Sequence, residues 1–442
     1  MPGQRGSQKP HEQTLRSNRA RTGALAGPPS QAVLLLFVPA GAGAHRQRSA
    51  LNAQERQTAV TTLLTLNAGS SSIKFSLFAA ESLREEARGQ VESIGGSAVL
   101  TLKAAQGKTE TQVSAPDHGA AARAILAALM PLLEGRPVIG VGHRVVHGGA
   151  ERSAPTLVTE AVLAELAALE PLAPLHQPYN LAGIRGAAQA FPDAAQVVCF
   201  DTAFHRAKPA LQDVHALPQP YRDTLRRFGF HGLSYTHITE ELARTAPDLH
   251  AGRVVVLHLG NGASACAIHN GQPVTTTMGF SALDGLCMGT RPGQIDPGAI
   301  LYLIREEGLD AAQLEDLLYR KSGLLGLSGI SNDMRALLED GSTEAELAVD
   351  YFCSRIARET GALAAAMGGL DGVVFTGGIG ENAPDIRARA MAGLGFLGLD
   401  VDGAANAAGA PDIGAGPARI LVVPTDEERV IARATAELCR GD

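Results

Sequence analysis

Leu66-Asn67-Ala68-Gly69-Ser70-Ser71-Ser72-Ile73-Lys74 is the stretch on which the fold turns. Before it, residues 60–66 form an apolar, Thr-rich run. After it, Ile73 to Phe78 alternate apolar and polar side chains, the period of a half-buried strand. The turn between these two strands is built of small residues. Gly69 lets backbone come close to a ligand, and the serines and turn N–H groups offer donors to an anion. Lys74 adds a positive charge, and Asn67 sits where a side-chain carbonyl can face a metal or a metal-bound water. Taken alone, the stretch is as readily a plain serine-rich hairpin turn.

The same device recurs downstream. Val254 to Leu259 reads as a strand, Gly260-Asn261-Gly262 as a turn and Ala263 to His269 as a second strand, with a tight hairpin signal at Asn270-Gly271. Two such devices suggest a duplicated fold in which each half lends a phosphate-binding hairpin to a shared cleft. Around them strands and helices alternate. Residues 137–142 and Ala195 to Phe200 read as strands, the second delivering Asp201 at its C-terminal end, where α/β sheets carry ligand chemistry. Gly372 to Thr376 and Ile420 to Val423 are further strands. Helical patterns cover 160–169, 179–190, 297–307, 312–320, 342–367, 383–392 and 426–438, and Gly323 to Leu327 reads as a loop.

Length and composition narrow the class. A chain of 442 residues exceeds one ordinary core, so about two or three domains are expected. A net charge of −7 argues against a nucleic-acid surface, leaving room for a local basic cleft. The 5 scattered cysteines fit reduced thiols in a cytoplasmic protein better than a disulfide framework, and they show no zinc spacing. Residues 1–58 differ from the rest. Met1 to Thr22 is polar and basic, and the apolar run Ala32 to Val38 is too short to cross a membrane. This segment has the outline of a signal peptide, but the preferred expectation is a disordered tail or an upstream start chosen in error.

Several residues could carry chemistry. Arg144 lies in a glycine-flanked strand end and Arg291 between Gly289 and Pro292, where backbone rather than a helix face holds them. Such a pair can grip a carboxylate or a phosphoryl group. His231, between Phe230 and Gly232, suits either core packing or donation to a phosphoryl oxygen. Asp201 could equally form a turn, and Asp333 could cap a helix. The glycine turn at Gly377-Gly378-Ile379-Gly380 is neither a P-loop nor a convincing dinucleotide fingerprint.

Together the segments resemble the acetokinase family of the sugar kinase/Hsp70/actin superfamily. The matching motifs are LLTLNAGSSSIK (63–74), VGHRVVHGG (141–149), PLHQP (174–178), CFDTAFH (199–205), RRFGFHG (226–232), HLGNGAS (258–264), MGTRPGQIDPG (288–298), SGISNDMR (328–335), FTGGIGEN (375–382) and VPTDEE (423–428), in family order. The resemblance implies an α/β protein of two duplicated RNase H-like domains, the actin-like ATPase fold, with the active site between them. It implies reversible phosphoryl transfer between ATP and acetate, giving ADP and acetyl phosphate. Magnesium is the implied metal, with manganese as a substitute.

Carried over by position, Asn67 and Glu427 match magnesium-associated residues and Lys74 an ATP-phosphate position. Arg144 matches the carboxylate-binding arginine, Asp201 the catalytic aspartate, and His231 and Arg291 the transition-state stabilisers. The nucleotide segments match His258, Leu259, Gly260, Asn261 and Gly262; Asp333, Met334 and Arg335; and Gly378, Ile379, Gly380, Glu381 and Asn382. The apolar walls for the acyl group are Val146, Leu175, Phe230 and Ala282. Proline stands at the Ala282 position in some relatives, so propionate could fit somewhat better here. Tyr235 stands where many relatives have histidine.

Acetate is already ionised at neutral pH, so Asp201 is expected to order magnesium and orient the arginines rather than move a proton. Direct in-line transfer is the expected route. The expected domains are 59–201 plus 427–442, and 202–426. A homodimer in the cytoplasm is implied, with no membrane or nucleic-acid partner. The rival readings are a propionate or butyrate kinase on the same scaffold, and an actin- or Hsp70-like ATPase switch, which would need no arginine pair to hold a carboxylate.

Overall fold

The computed structural model describes residues 61–441. The extension expected over 1–58 lies outside the described residues. Two sheets carry the architecture. The first contains β1 (Thr62–Ala68), β2 (Ser72–Ala79), β3 (Glu85–Glu92), β4 (Val99–Ala104), β5 (Gly107–Gln112), β6 (Val138–Val145), β7 (Thr156–Leu157) and β8 (Ala195–Phe200), in the order β5-β4-β3-β2-β1-β6-β8-β7. The second contains β9 (Arg253–Leu259), β10 (Ala263–His269), β11 (Gln272–Thr276), β12 (Gly372–Thr376) and β13 (Arg419–Val422), in the order β11-β10-β9-β12-β13.

The duplication is visible in the pairing. In the first sheet β1, β2 and β3 form an antiparallel meander, and β6 and then β8 run parallel to β1. In the second sheet β9, β10 and β11 form the same meander, and β12 and then β13 run parallel to β9. Both turns singled out in the sequence join the first two strands of a sheet. The Gly69 N–H donates to the Ser72 carbonyl (2.8 Å) and the Gly260 N–H to the Gly262 carbonyl (3.1 Å). Asn270 and Gly271 both take positive φ, as a two-residue hairpin between β10 and β11 requires.

The parallel strands fix where chemistry can sit. Asn67 lies near the C-terminal end of β1, Arg144 near that of β6 and His258 near that of β9. Asp201 follows β8, Gly377 follows β12 and Thr425 comes shortly after β13. All lie at the strand ends where α/β sheets present ligand-binding groups.

The helix Glu427–Arg440 follows the last strand of the second sheet but packs on the first. Its Val430, Ile431 and Ala434 meet Val197, Cys199 and Leu233, and Ala432 and Ala436 meet Leu63 and Phe78. Burying a side chain such as Ile431 is worth about 1.5–3 kcal/mol. Glycines in β6 permit this approach. A Cβ at Gly142 would stand 2.3 Å from Thr435 Oγ1, and one at Gly140 2.6 Å from Cys439 Sγ. The first turn of this helix, capped by Asp426, carries Glu427 and Glu428.

Two expectations change. The segment read as a loop at Gly323 to Leu327 is a short helix, Gly323–Ser328, because its leucines pack and its glycines only punctuate. Gly323 has φ +64° at the start, Gly329 φ +66° at the end, and Leu324 is fully buried. The glycine turn after β12 is also helical, Gly377–Asn382, with the Glu381 carboxylate accepting from the Gly377 N–H at 2.8 Å.

Three buried histidines make the fold sensitive to acid. His147 Nδ1 accepts from the Gly149 N–H (2.9 Å), His143 Nε2 is 2.8 Å from Gln196 Oε1, and His205 Nε2 is 2.8 Å from the Phe230 carbonyl. Burial lowers all three to about 4, whereas an unfolded histidine titrates near 6.5. The unfolded chain therefore takes up protons first as pH falls. Stability is full above about 6.5 and is lost towards 4, by up to about 1.4 kcal/mol per pH unit for each histidine. The calorimetric unfolding midpoint should drop steeply between pH 7 and 5; a flat midpoint there would contradict the assignment.

Candidate active site

A cavity of about 500 Å³ opens where the strand ends converge. Asn67, Lys74, Arg144, Val146, Asp201, Phe230, His231, His258, Gly260, Asn261, Gly262, Ala282, Arg291 and Glu427 line it, all singled out in the sequence. So do His176, Thr425 and Glu428, which were not. Leu175 is half-buried and not among the lining residues. The chain turns into the helix Gln177–Ala190 at His176, and that next side chain faces the cavity instead.

Arg144 and Asp201 form the central pair. Arg144 Nε donates to both Asp201 oxygens at 3.1 Å and Nη2 to Oδ2 at 2.7 Å, while Glu427 Oε2 stands 3.6 Å from Nε. Nη1 makes no hydrogen bond to protein among the described residues. Asp201 is 1% exposed. Burial pushes its carboxyl pKa up, and the charge and hydrogen bonds of Arg144 oppose that only in part. Burial also works against the Arg144 charge, but Asp201 and Glu427 more than offset it and hold its pKa above the ordinary value.

Arg291 is different. Its Nη1 donates to the Ala282 carbonyl (2.9 Å), and among the described residues it has no carboxylate partner. Burial, with the like charge of Arg144 adding to it, lowers its pKa. The His231 and His258 rings stack, centroids 4.3 Å apart and planes 25° apart. Burial pulls His231 well below 6.5, with His258 and then Arg144 and Arg291 adding to it, and burial with Arg144 pulls His258 to about 4 against the opposing charge of Asp201. Burial, then Arg291 and Arg144, also lowers His176 to about 4. These imidazoles are therefore neutral at physiological pH, and the positive charge of the cavity comes from Arg144, Arg291 and Lys74.

A second cavity, of about 530 Å³, shares Gly260 and Asn261 with the first. Asn332, Asp333, Met334, Arg335, Gly378, Ile379, Asn382 and Ala383 complete its lining. Asp333 is both a helix cap, accepting from the Arg335 N–H at 3.0 Å, and a wall of this cavity. The remaining expected nucleotide residues sit behind it. Leu259 is fully buried in the core. The Gly380 carbonyl accepts from Arg387 at 2.9 Å, and Glu381 ties the Gly377 and Thr425 N–H groups together at 2.8 and 3.0 Å.

Two sheets of one topology, with their strand ends turned to a common cavity, define the duplicated RNase H-like class that includes sugar kinases, Hsp70 and actin. Within it, the family model described as the acetokinase family matches residues 62–433, and the chain belongs to that family. It is 50% identical over 393 residues to an acetate kinase of Methylocella silvestris, covering 85% of this chain and 97% of that protein. A crystal structure of a propionate kinase from Francisella tularensis superposes with TM-score 0.81 at 35% identity, covering 85% of this chain and 99% of that one. That of a Porphyromonas gingivalis acetate kinase gives TM-score 0.77 at 37% identity, covering 85% and 98%.

Proposed function

We propose that this chain is an acetate kinase, transferring the γ-phosphoryl group of ATP to acetate and back. The observation that carries the reading is a half-buried Arg291, without a carboxylate partner among the described residues, in the same cavity as an Arg144 fixed by Asp201, beside a second cavity of nucleotide size. A cation held without a counter-ion suits a site whose ligand is an anion.

Each residue then has a task. Asp201 occupies the Nε–Nη2 edge of the Arg144 guanidinium and orients it, and the free Nη1 binds the acetate carboxylate. Val146, Phe230 and Ala282 wall the methyl group. Arg291 and the His231 ring bind the equatorial oxygens of the transferring phosphoryl group. Gly260, Asn261 and the second cavity hold the nucleotide, and Lys74 reaches its phosphates. An acetate oxygen forms the new bond to γ-phosphorus as the bond to the bridging oxygen breaks, and ADP leaves with that electron pair. Acetate is ionised near neutral pH, so no proton moves.

The oxygen donors Asn67 and Glu427 suit magnesium, which is held by one or two carboxylates together with phosphate and water. Asn67 and Glu427 line the same cavity as Lys74, so their oxygens can meet a cation there together with nucleotide phosphates. Asn67 and Glu427 would hold the ion, with manganese as a substitute, and it would supply charge neutralisation on the phosphates.

A hydroxamate assay for acyl phosphate with acetate, propionate and butyrate tests the reading. Acetate should be preferred, and propionate should trail by no more than the about 1–3 kcal/mol that one methylene commands. ATP turnover indifferent to every short carboxylate would overturn it in favour of a partner-switching ATPase.

The domains are taken as 59–201 with 427–442, and 202–426, on the strength of the last helix packing against the first sheet. The protein is taken to be a homodimer in the cytoplasm. The helix Pro297–Arg305 has no buried residue and exposes Leu301, Tyr302 and Ile304, which supports self-association through that face. Sedimentation should return twice the monomer mass, and a monomer at micromolar concentration would count against it. Among the described residues no helix is long and apolar enough to cross a membrane.

A further inference from the structure

Behind the stacked imidazoles lie hydroxyl groups for which phosphoryl transfer has no direct use. His231 Nδ1 is 2.8 Å from Ser264 Oγ, and Ser264 Oγ is 2.6 Å from the Tyr235 hydroxyl. Tyr235 and Ser264 are both fully buried. Each hydroxyl owns one proton, and a buried phenol must give its proton to an acceptor. Among the described residues the Tyr235 hydroxyl has one hydrogen-bond partner, Ser264 Oγ. Tyr235 therefore donates to Ser264. Ser264 has one proton left to place, and its remaining partner is His231 Nδ1. Nδ1 accepts, so the neutral ring carries its proton on Nε2. The reverse chain, from His231 through Ser264 to Tyr235, would strand the phenolic proton in the core at its full desolvation cost.

The other end of the ring faces the ligand space. A methyl group at Gly262 would stand 3.3 Å from His231 Nε2 and 3.6 Å from Arg291 Nη2, so both groups border the same glycine-lined space. His231 itself has φ +59° and is the N-cap of the helix Gly232–Thr245. His258 repeats the arrangement: its Nδ1 is 2.8 Å from Ser234 Oγ, and Thr425 Oγ1 is 2.9 Å from that oxygen.

We propose that Tyr235 and Ser264 are positioning residues that lock His231 in its Nε2–H tautomer, so that the ring offers a proton rather than a lone pair to the transferring phosphoryl group. A neutral imidazole in the other tautomer would turn a lone pair towards an anion, and repulsion would replace stabilisation. The lock works without raising the charge of a site that already holds two guanidiniums. This inference rests on the phosphoryl-transfer reading for its kinetic consequence, but not for the tautomer itself.

The test has two arms. Long-range ¹H–¹⁵N histidine spectra of the full chain without substrates should show His231, identified by its loss in His231→Gln, protonated at Nε2 and bare at Nδ1. In Ser264→Ala its Nδ1 signal should move towards the mixed-tautomer position. In the acyl phosphate assay, Ser264→Ala and Tyr235→Phe should each lower kcat by about tenfold, a part of the about 10²–10³ that loss of a whole donor costs, with little change in KM for acetate or ATP. Ser264→Thr, which keeps the hydroxyl, should restore the rate. A wild-type His231 protonated at Nδ1, or a folded Ser264→Ala enzyme with wild-type kcat, would overturn the proposal. A wild type that forms no acyl phosphate would instead sink the kinase reading, and the spectrum would still decide the tautomer.

Discussion

Arg144→Ala is expected to lose both activity and stability. Arg144 is the direct ion-pair partner of Asp201, which is 1% exposed, and it also stands near Glu427. Removing it leaves a buried carboxylate uncompensated, a loss of about 3–5 kcal/mol where one member of a buried pair is deleted. In the role proposed for it, Arg144 also anchors the acetate carboxylate, so kcat/KM should fall by about 10³ or more. The orphaned Asp201 carboxyl will bind its proton more tightly than in the wild type. The folded variant then holds a proton that the unfolded chain releases near pH 4, so its deficit should be smallest near pH 4 and grow as pH rises. Adding Asp201→Ala should return most of the stability and none of the activity. Urea unfolding and the hydroxamate assay on both variants decide the matter. A single variant as stable as wild type would mean that the pair is not buried as described.

Arg291→Ala should behave in the opposite way. The same type of side chain lines the same cavity, but among the described residues it has no carboxylate partner and a single hydrogen bond, to the Ala282 carbonyl. Its like-charged neighbour Arg144 and its burial already oppose its charge. Unfolding free energy should stay level or rise, while kcat falls by about 10²–10³, the cost of one preorganised donor to the transition state. Inorganic phosphate should raise the melting temperature of the wild type and do so less in the variant. Unchanged turnover in a folded Arg291→Ala protein would remove the site from the reading.

Sequence and structure agree most closely where local chemistry and tertiary environment point the same way. Asn67 to Lys74 reads as a hairpin because its turn is small and its flanks alternate, and β8 and β10 have the bounds their apolar runs suggest. No local pattern in the sequence marks β3, β4, β5 or the helix His118–Leu133. β5 is exposed throughout and so has no alternation, and the helix is alanine-rich with Pro131 inside it. At the site, charged residues flanked by glycine or proline stood out. His176, Thr425 and Glu428 did not, since each adjoins or lies beside a residue already marked and only three-dimensional convergence separates them. Tyr235 is visible as a departure from the family, but it sits on the helix Gly232–Thr245 while its partner Ser264 comes from β10, and no local pattern announces that meeting.

Glu427 arrives late. The helix that carries it seals the first sheet against Gly140 and Gly142, yet it is translated only after every strand of the second sheet. On the ribosome, the early half of this protein must therefore wait with one face of its sheet bare until the tail emerges. A nascent chain that stalls before residue 427 can finish neither this core nor the carboxylate proposed above to hold the metal, so translation through this helix must precede the first turnover.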